Sequence, residues 1–499
     1  MTRKKKLLLS MGMATLKQAI TIVCGFVLPR YILSGYGSQV NGLVTSITQF
    51  LGFIAFLEMG VGPVIQSNLY EPLAKKDCDG ISRIVVSSEK FFRRIAYIFT
   101  GYIVFLITFF PQISNAGFPF LYTASLIAII AISTFAQYYF GITYQLLLNA
   151  DQKSYIQMAL QCVTILLNTS VSVLLIMKGF SIQAVKLSTA IIYFLRPIGQ
   201  AIYIHKHYNI NKRIEYEGEP IKQKWNGFAQ HITAVVVKNT DVTVLTLLDN
   251  LKSVSVYSVY YNVVYGIENT VMTLATGLEA MWGNMLANHE DERLAESFAF
   301  TEWVMHNGVS FLFTVTGILI VPFIQVYTQG VSDANYRLPV FGTLLVAAYG
   351  TECLRIPYFR MIKAAGHYKQ TQVASFIEML INVLLSVALV KRFGLNGVAV
   401  GTLAAMLYHT IYFALYLEKN ILYRPFWSFC KHLILDIVYI LTCSVCTSSM
   451  ELGDVSYISW IILAVKVTII SLFILLVYNL LFHRKMLGVF VCKKHSDKG

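Results

Sequence analysis

Charge is what this chain has least of. Only 13% of its 499 residues are Asp, Glu, Lys or Arg, against about a quarter in a soluble domain. That scarcity excludes an ordinary water-soluble fold. Segments alternating apolar and polar residues are missing too, which argues against a membrane β-barrel. No P-loop and no H-E-x-x-H stretch occurs, no acidic cluster offers metal ligation, and the outer loops are too short to hold a catalytic domain. A membrane polymerase or glycosyltransferase, and any enzyme, is therefore not expected. Most of the 8 cysteines lie in apolar runs. Cys443 and Cys446 form a C-x-x-C, but no second ligand pair completes a zinc site, so both read as small helix residues and no metal is expected. The basic start Arg3-Lys4-Lys5-Lys6 lacks a small-residue cleavage site after it, and Lys17 interrupts the apolar run. It reads as a retained first helix rather than a removed signal peptide.

What the chain does have is hydrocarbon. It is 56% hydrophobic, with mean hydropathy +0.60. Apolar runs of about 20 residues recur, the length that crosses a hydrocarbon layer about 30 Å thick. The expected fold is an all-α polytopic membrane protein with about 14 transmembrane helices. The spans fall at 7–29, 40–64, 95–113, 118–146, 155–177, 182–204, 226–248, 254–286, 304–327, 338–362, 372–391, 395–417, 430–448 and 457–482. The fourth and eighth are long for one crossing.

The net charge of +14 belongs to the membrane rather than to nucleic acid, because the basic residues gather in alternate loops. With the N-terminus inside, the inner segments hold about 27 Lys and Arg and the outer loops about six. Lys75, Lys76, Arg83, Lys90, Arg93 and Arg94 follow span two, and Lys206, Lys212, Arg213, Lys222 and Lys224 follow span six. The tail adds Arg484, Lys485, Lys493, Lys494 and Lys498. Both termini are expected to be cytoplasmic. These clusters fit topology and lipid-headgroup contact.

The chain also repeats itself weakly. Ala150-Asp151 before span five compares with Ala365-Gly366 before span eleven, and Lys178-Gly179-Phe180 with Phe393-Gly394-Leu395 after those spans. Leu57-Glu58-Met59-Gly60 compares with Leu274-Ala275-Thr276-Gly277 at nearly the same offset. Six spans per repeat is an even number, so the halves insert in the same orientation, as in parallel-repeat transporters. The expected organisation is two six-helix lobes in parallel pseudo-repeat plus two C-terminal helices: an N-lobe at 1–205, a linker at 206–225, a C-lobe at 226–418, and two helices with a basic tail at 419–499.

Ionisable residues at mid-membrane depth usually face a protein interior or a wet cavity. Lys238 and Asp241 stand in span seven, three residues apart and on one helix face. They suit either a self-neutralised pair or a working site. Lys17 lies at a similar depth in span one with no acid within a turn, so it needs an anion from elsewhere in the protein or from a cargo.

Several short stretches resemble one group of transporters. They are Pro29-Arg30-Tyr31-Ile32, then Tyr36-Gly37 and Asn41-Gly42-Leu43, Leu57-Glu58-Met59-Gly60-Val61-Gly62, Leu148-Asn149-Ala150-Asp151, and Gly394-Leu395-Asn396-Gly397-Val398-Ala399. With the span plan, these resemble the polysaccharide repeat-unit flippases of the multidrug/oligosaccharidyl-lipid/polysaccharide exporter superfamily. The resemblance covers most of the chain up to the twelfth span. It implies a flippase carrying an undecaprenyl-diphosphate-linked oligosaccharide, of capsule or O-antigen type, from the cytoplasmic to the outer leaflet of the bacterial inner membrane. It also implies alternating access, with the first, second, seventh and eighth helices lining a central cavity.

A lipid diphosphate needs cationic groups along its path, and Lys17 and Lys238 hold related places in the two halves. They are expected to approach each other and receive the diphosphate. Arg30 suits a gate role in that site or a snorkelling interfacial role. Asp241, Glu58 and Glu268 suit either pairing with those lysines or carrying a coupling cation, H+ or Na+. No other cofactor is expected. Arg196 and Arg355, each beside a helix-breaking proline, fit kinks first and headgroup access second. Tyr257 and Tyr261, in a run with Tyr260 and Tyr265, suit packing or an aromatic belt, or else sugar contact. Glu378 and Asp436 read as end-of-span or helix–helix contacts. The expected partners are the lipid-linked oligosaccharide, membrane lipids and polysaccharide polymerase or assembly proteins. Nucleic acid is not expected, and the chain is expected to be a monomer. Other cargoes, namely the peptidoglycan lipid precursor or a cationic drug, stay within the same superfamily. A passive scaffold fits poorly with charges inside both halves.

Overall fold

The computed structural model describes residues 3–58, 61–114, 117–215 and 228–484. Among them the regular structure is entirely helical. In hydrocarbon each backbone N–H and C=O must be bonded within its own segment, which helices achieve. Among the described residues, ten helices are long and apolar enough to cross a membrane. The chain is a polytopic all-α membrane protein. Contacts divide it into two compact units, Met1–Ser255 and Val256–Gly499.

The first unit opens with α1 (Arg3–Gly52), which contains Pro29 and bends at Gly37, where φ is 80° and ψ is 174°. Glycine alone adopts that conformation without steric cost. The first span and most of the second are therefore one bent run of helix. A 3₁₀ turn, Phe53–Leu57, precedes a break at Glu58, and α2 (Val61–Lys75) follows. The Asp77 carboxylate then caps α3 (Cys78–Ile113), accepting from the Gly80 amide at 2.9 Å. The basic stretch expected as a loop is thus largely helical, because a capped helix can emerge from lipid and carry its charges into water. Next come α4 (Phe120–Ala136), a π-helical turn (Gln137–Gly141), α5 (Ile142–Ala150), α6 (Ser154–Met177) and α7 (Ile182–His207). The long fourth span is this composite of α4, π turn and α5. Its core is built on Phe92, Phe99, Leu147 and Leu148, all buried.

Helix α8 (Phe228–Leu248) packs on α1 in this unit. Among the described residues, three polar contacts and one close approach join α1 to α8 and to residues 251–255 just after it. Asn41 Nδ2 donates to Ser255 Oγ at 2.8 Å. Ser46 and Thr246 share a hydroxyl bond of 2.7 Å. Gln49 Nε2 donates to the Lys238 carbonyl at 3.2 Å. A Cβ at Gly42 would stand 1.8 Å from the Leu251 carbonyl oxygen, so no larger residue fits. These contacts place α8 with the first unit, one helix later than the expected lobe boundary. Part of the expected linker, 216–225, and the basic tail from Lys485 lie outside the described residues.

The second unit takes up α9 (Leu251–Leu274) after Ser255, then α10 (Leu278–Ala287) and α11 (Asp291–Tyr327). It continues with α12 (Pro339–Ala364), α13 (Tyr368–Phe393), α14 (Leu395–Asn420), α15 (Trp427–Thr447) and α16 (Tyr457–Phe482). Trp282, Phe298, Tyr358 and Phe413 centre its core. α15 and α16 pack on α11, where Trp303 Nε1 donates to Asn479 Oδ1 at 2.9 Å. The succession of elements repeats. The second span breaks at Glu58, and the eighth breaks between Leu274 and Leu278, at the two stretches whose sequences match. Helices α8, α9 and α12 fall outside the ten strongly apolar ones. They are long enough, but Lys238 and Asp241, the α9 tyrosines with Glu268, and Glu352 with Arg355 lower their hydropathy.

Candidate functional site

Lys17 is half-buried on α1, in electrostatic range of Cys162 on α6. Lys238 is exposed on α8, and its own carbonyl accepts from Gln49 at the seam. Asp241, on the same helix, is buried. Arg30 is half-buried beside Pro29.

Two residues expected to serve different purposes meet. Glu58, at the helix break, and Arg196 of α7 line one cavity of about 460 Å³ inside the first unit. The Glu58 carboxylate accepts from the Tyr138 hydroxyl at 2.7 Å. Tyr138 belongs to the π turn, and such turns often re-aim side chains at working sites. The Arg196 guanidinium stacks 3.8 Å from the Tyr193 ring centroid, and its Nε donates to Thr164 Oγ1 at 2.7 Å. Gly141 and Pro197 pack closely enough that a Cβ at Gly141 would lie 3.2 Å from the proline Cβ. Pro197 therefore seats α7 closely against the π turn.

In the second unit Arg355 is the hub of an ion-pair group. Its Nη1 bonds Glu378 at 2.5 Å, and Nη2 lies 3.4 Å from Glu352. His409 completes the group at 2.5 Å from the other Glu378 oxygen. The buried Glu268 lies in electrostatic range of the same arginine. Tyr257 and Tyr261 stack at 5.7 Å. Their further ring neighbours are Phe341 for Tyr257 and Tyr265 and Tyr349 for Tyr261. Tyr260 donates to the Tyr336 carbonyl at 2.7 Å.

Sequence reasoning missed a second buried network. Arg424, between α14 and α15, reaches Glu302 at 2.7 Å and Glu418 at 2.5 Å. Tyr358 donates to Glu302 at 2.6 Å. His306 and Asp436 pair at 2.5 Å, and Ser310 donates to the other Asp436 oxygen at 2.8 Å. Asp436 is thus a buried ion-pair member. The signal was an acid or histidine inside an apolar span, which by itself does not name its partner.

No protein-family profile and no curated protein sequence matches this chain. Solved structures do. One described as the lipid II flippase MurJ in an inward closed conformation superposes with a TM-score of 0.71 at 16% identity, covering 96% of this chain and 100% of that one. An inward-facing multidrug resistance MATE transporter of the MOP superfamily matches with a TM-score of 0.62 at 12% identity, over 82% of this chain and 98% of that one. A MATE protein in complex with MaL6 matches with a TM-score of 0.52 at 14% identity, over 84% and 99%. The fold is that of MurJ and the MATE transporters. The MurJ overlay runs through nearly the whole chain, whereas the MATE overlays leave about a sixth of it uncovered. The expected all-α polytopic architecture is therefore found, at identities that speak for fold alone.

Proposed function

We propose that this protein is a flippase that moves an undecaprenyl-diphosphate-linked oligosaccharide from the cytoplasmic to the outer leaflet by alternating access. The observation that carries this reading is the near end-to-end overlay on a lipid II flippase. It is joined by lysines within two apolar helices, Lys17 on α1 and Lys238 on α8. A lipid diphosphate brings negative charge that hydrocarbon rejects, and ammonium groups on its path replace the lost hydration. In this reading Lys17 and Lys238 receive the diphosphate at successive points, and Arg30 holds it near the end of the first span. Asp241 and Glu58 balance the empty site and suit a coupling H+ or Na+; Glu268 is held to the same role.

The membrane field favours the outward step. At about 2.3 kcal/mol per charge per 100 mV, roughly two negative charges gain about 4–5 kcal/mol. Return of an emptied cationic path is the step a coupling cation would assist. The termini lie in the cytoplasm and the membrane is the bacterial inner membrane, in keeping with the basic inner segments. The seam between α1 and α8 parts and re-forms during the cycle. A second cargo, the peptidoglycan lipid precursor, is favoured by that same overlay.

Lys17→Ala and Lys238→Ala in producing cells test the reading, with protein level controlled. Surface polysaccharide is expected to fall at least tenfold in each, with lipid-linked repeat units accumulating inside. Normal surface polysaccharide in both would overturn the site assignment. Normal polysaccharide with depleted cell-wall precursor export would move the cargo to peptidoglycan.

A further inference from the structure

Four glutamines line the cavity in the first unit. Gln137 opens the π turn, Gln145 follows it on α5, Gln161 comes from α6 and Gln200 from α7, with Glu58 and Arg196 as the charged groups. One carboxylate and one guanidinium cancel in formal charge. A bare cation would meet Arg196, and a bare anion would meet Glu58. A neutral ligand meets neither penalty.

The amides narrow the choice. Each offers one acceptor oxygen and two N–H donors. Gln137 Nε2 donates to Gln145 Oε1 at 3.0 Å, which uses one of each. Gln200 is 2% exposed. Its Oε1 is buried and, among the described residues, has no hydrogen-bond partner. An unmet buried acceptor is destabilising, and native sites keep one where a ligand or water brings the donor. Hydroxyl groups donate and accept at one atom, which suits a wall of amides. The Tyr193 ring beneath Arg196 and the Tyr138 hydroxyl on Glu58 stiffen the two charged corners. The volume of about 460 Å³ falls inside the range of small-molecule sites, about 300–1,000 Å³.

We propose that this cavity is a sugar-binding site for a neutral, polyhydroxylated pyranose ring. Gln161 and Gln200 read its hydroxyls, Gln200 Oε1 accepts from one of them, and Glu58 and Arg196 supply the charged hydrogen-bonding groups of the wall. The biological role, holding a sugar of the carried glycan, rests on the flippase reading; the binding chemistry does not.

The full chain, purified in detergent, is tested by saturation-transfer NMR with methyl glycosides of glucose, galactose and N-acetylglucosamine. At least one is expected to bind. Gln200→Leu and Gln161→Leu are each expected to weaken that binding at least tenfold, and Lys419→Ala, at an exposed position in the second unit, to leave it unchanged. Gel filtration verifies folding, and Gln145→Leu replaces either variant that fails it. Competition by a polyprenyl-diphosphate-linked disaccharide identifies carrier-borne glycan as the source. Binding without that competition identifies free sugar; either result supports the site. No binding of any glycoside to the natural chain, or binding that both variants retain, would overturn it. Flipping that survives in the glutamine variants without glycoside binding would sink the site and spare the flippase. Glycoside binding without any flipping would do the reverse.

Discussion

The Tyr138 hydroxyl donates to the Glu58 carboxylate at 2.7 Å, tying the π turn between α4 and α5 to the break before α2. Two departures from regular helix thus support each other. Phenylalanine at Tyr138 keeps the ring and removes the donor, leaving a mostly buried carboxylate short of a partner. Tyr138→Phe is expected to lower stability by about 1.5–3 kcal/mol, the range for hydrogen bonds to charged groups. Glu58→Gln keeps an acceptor and should cost less. Thermal denaturation in detergent measures both.

The seam between α1 and α8 gives a conformational prediction. Ser46 and Thr246 face each other with oxygens 2.7 Å apart. Ser46→Cys with Thr246→Cys is expected to cross-link under oxidation, stop export, and recover it on reduction. Each single variant should export normally. Gly42→Ala must displace α1 from the Leu251 carbonyl. It is expected to lower both thermal stability and cross-linking yield.

The Arg424 cluster makes a stability prediction. The Glu302 and Glu418 side chains are 1% and 2% exposed and share this guanidinium. Removing one partner of a buried pair leaves an uncompensated charge and typically costs about 3–5 kcal/mol. Arg424→Met is expected to fall in that range by detergent unfolding. Adding Glu302→Gln and Glu418→Gln should restore much of the loss.

At the turn before α6, Asp151 bonds Lys6 at 3.2 Å and Lys153 at 2.7 Å, and accepts from Tyr208 at 2.5 Å. Burial pushes its carboxyl upward, but the bonds from Lys153 and Tyr208 and the two ammonium charges outweigh that and hold it below the ordinary value. A depressed folded value stabilises the fold above the unfolded pKa of about 3.9 and ceases to as pH falls through the folded value. Asp151→Asn is therefore expected to lower the unfolding temperature at neutral pH. The gap to the natural chain should close only in strong acid, which a pH series of melting curves reads out.

The spans were legible because hydrocarbon length is a local property. Fourteen apolar segments all correspond to helix. The matched stretches around Glu58 and Ala275 were legible as a repeat. Their identity as helix breaks was not, since a glycine in an apolar run also fits continuous helix. The excess length of spans four and eight signalled composite elements: one carries the π turn, and the other splits into α9 and α10. Arg196 and Glu58 were each singled out, but for different purposes. Only folding brings α7 to the break before α2. His306 and Asp436 stand 130 positions apart, and no sequence period links them. The Arg355 hub was read as a kink with a snorkelling cation, because its acids, Glu378 and Glu352, lie on different helices and within one turn respectively.

The most direct test of the flippase reading is reconstitution. The chain in proteoliposomes, with a fluorescent polyprenyl-diphosphate disaccharide in both leaflets, is exposed to a reagent that quenches only the outer leaflet. The expected result is rapid quenching of the inner pool, faster when the potential drives anions outward and at least tenfold slower in Lys17→Ala and Lys238→Ala. Quenching that stays at half with the natural chain, or that ignores both the potential and the two lysines, would contradict the account.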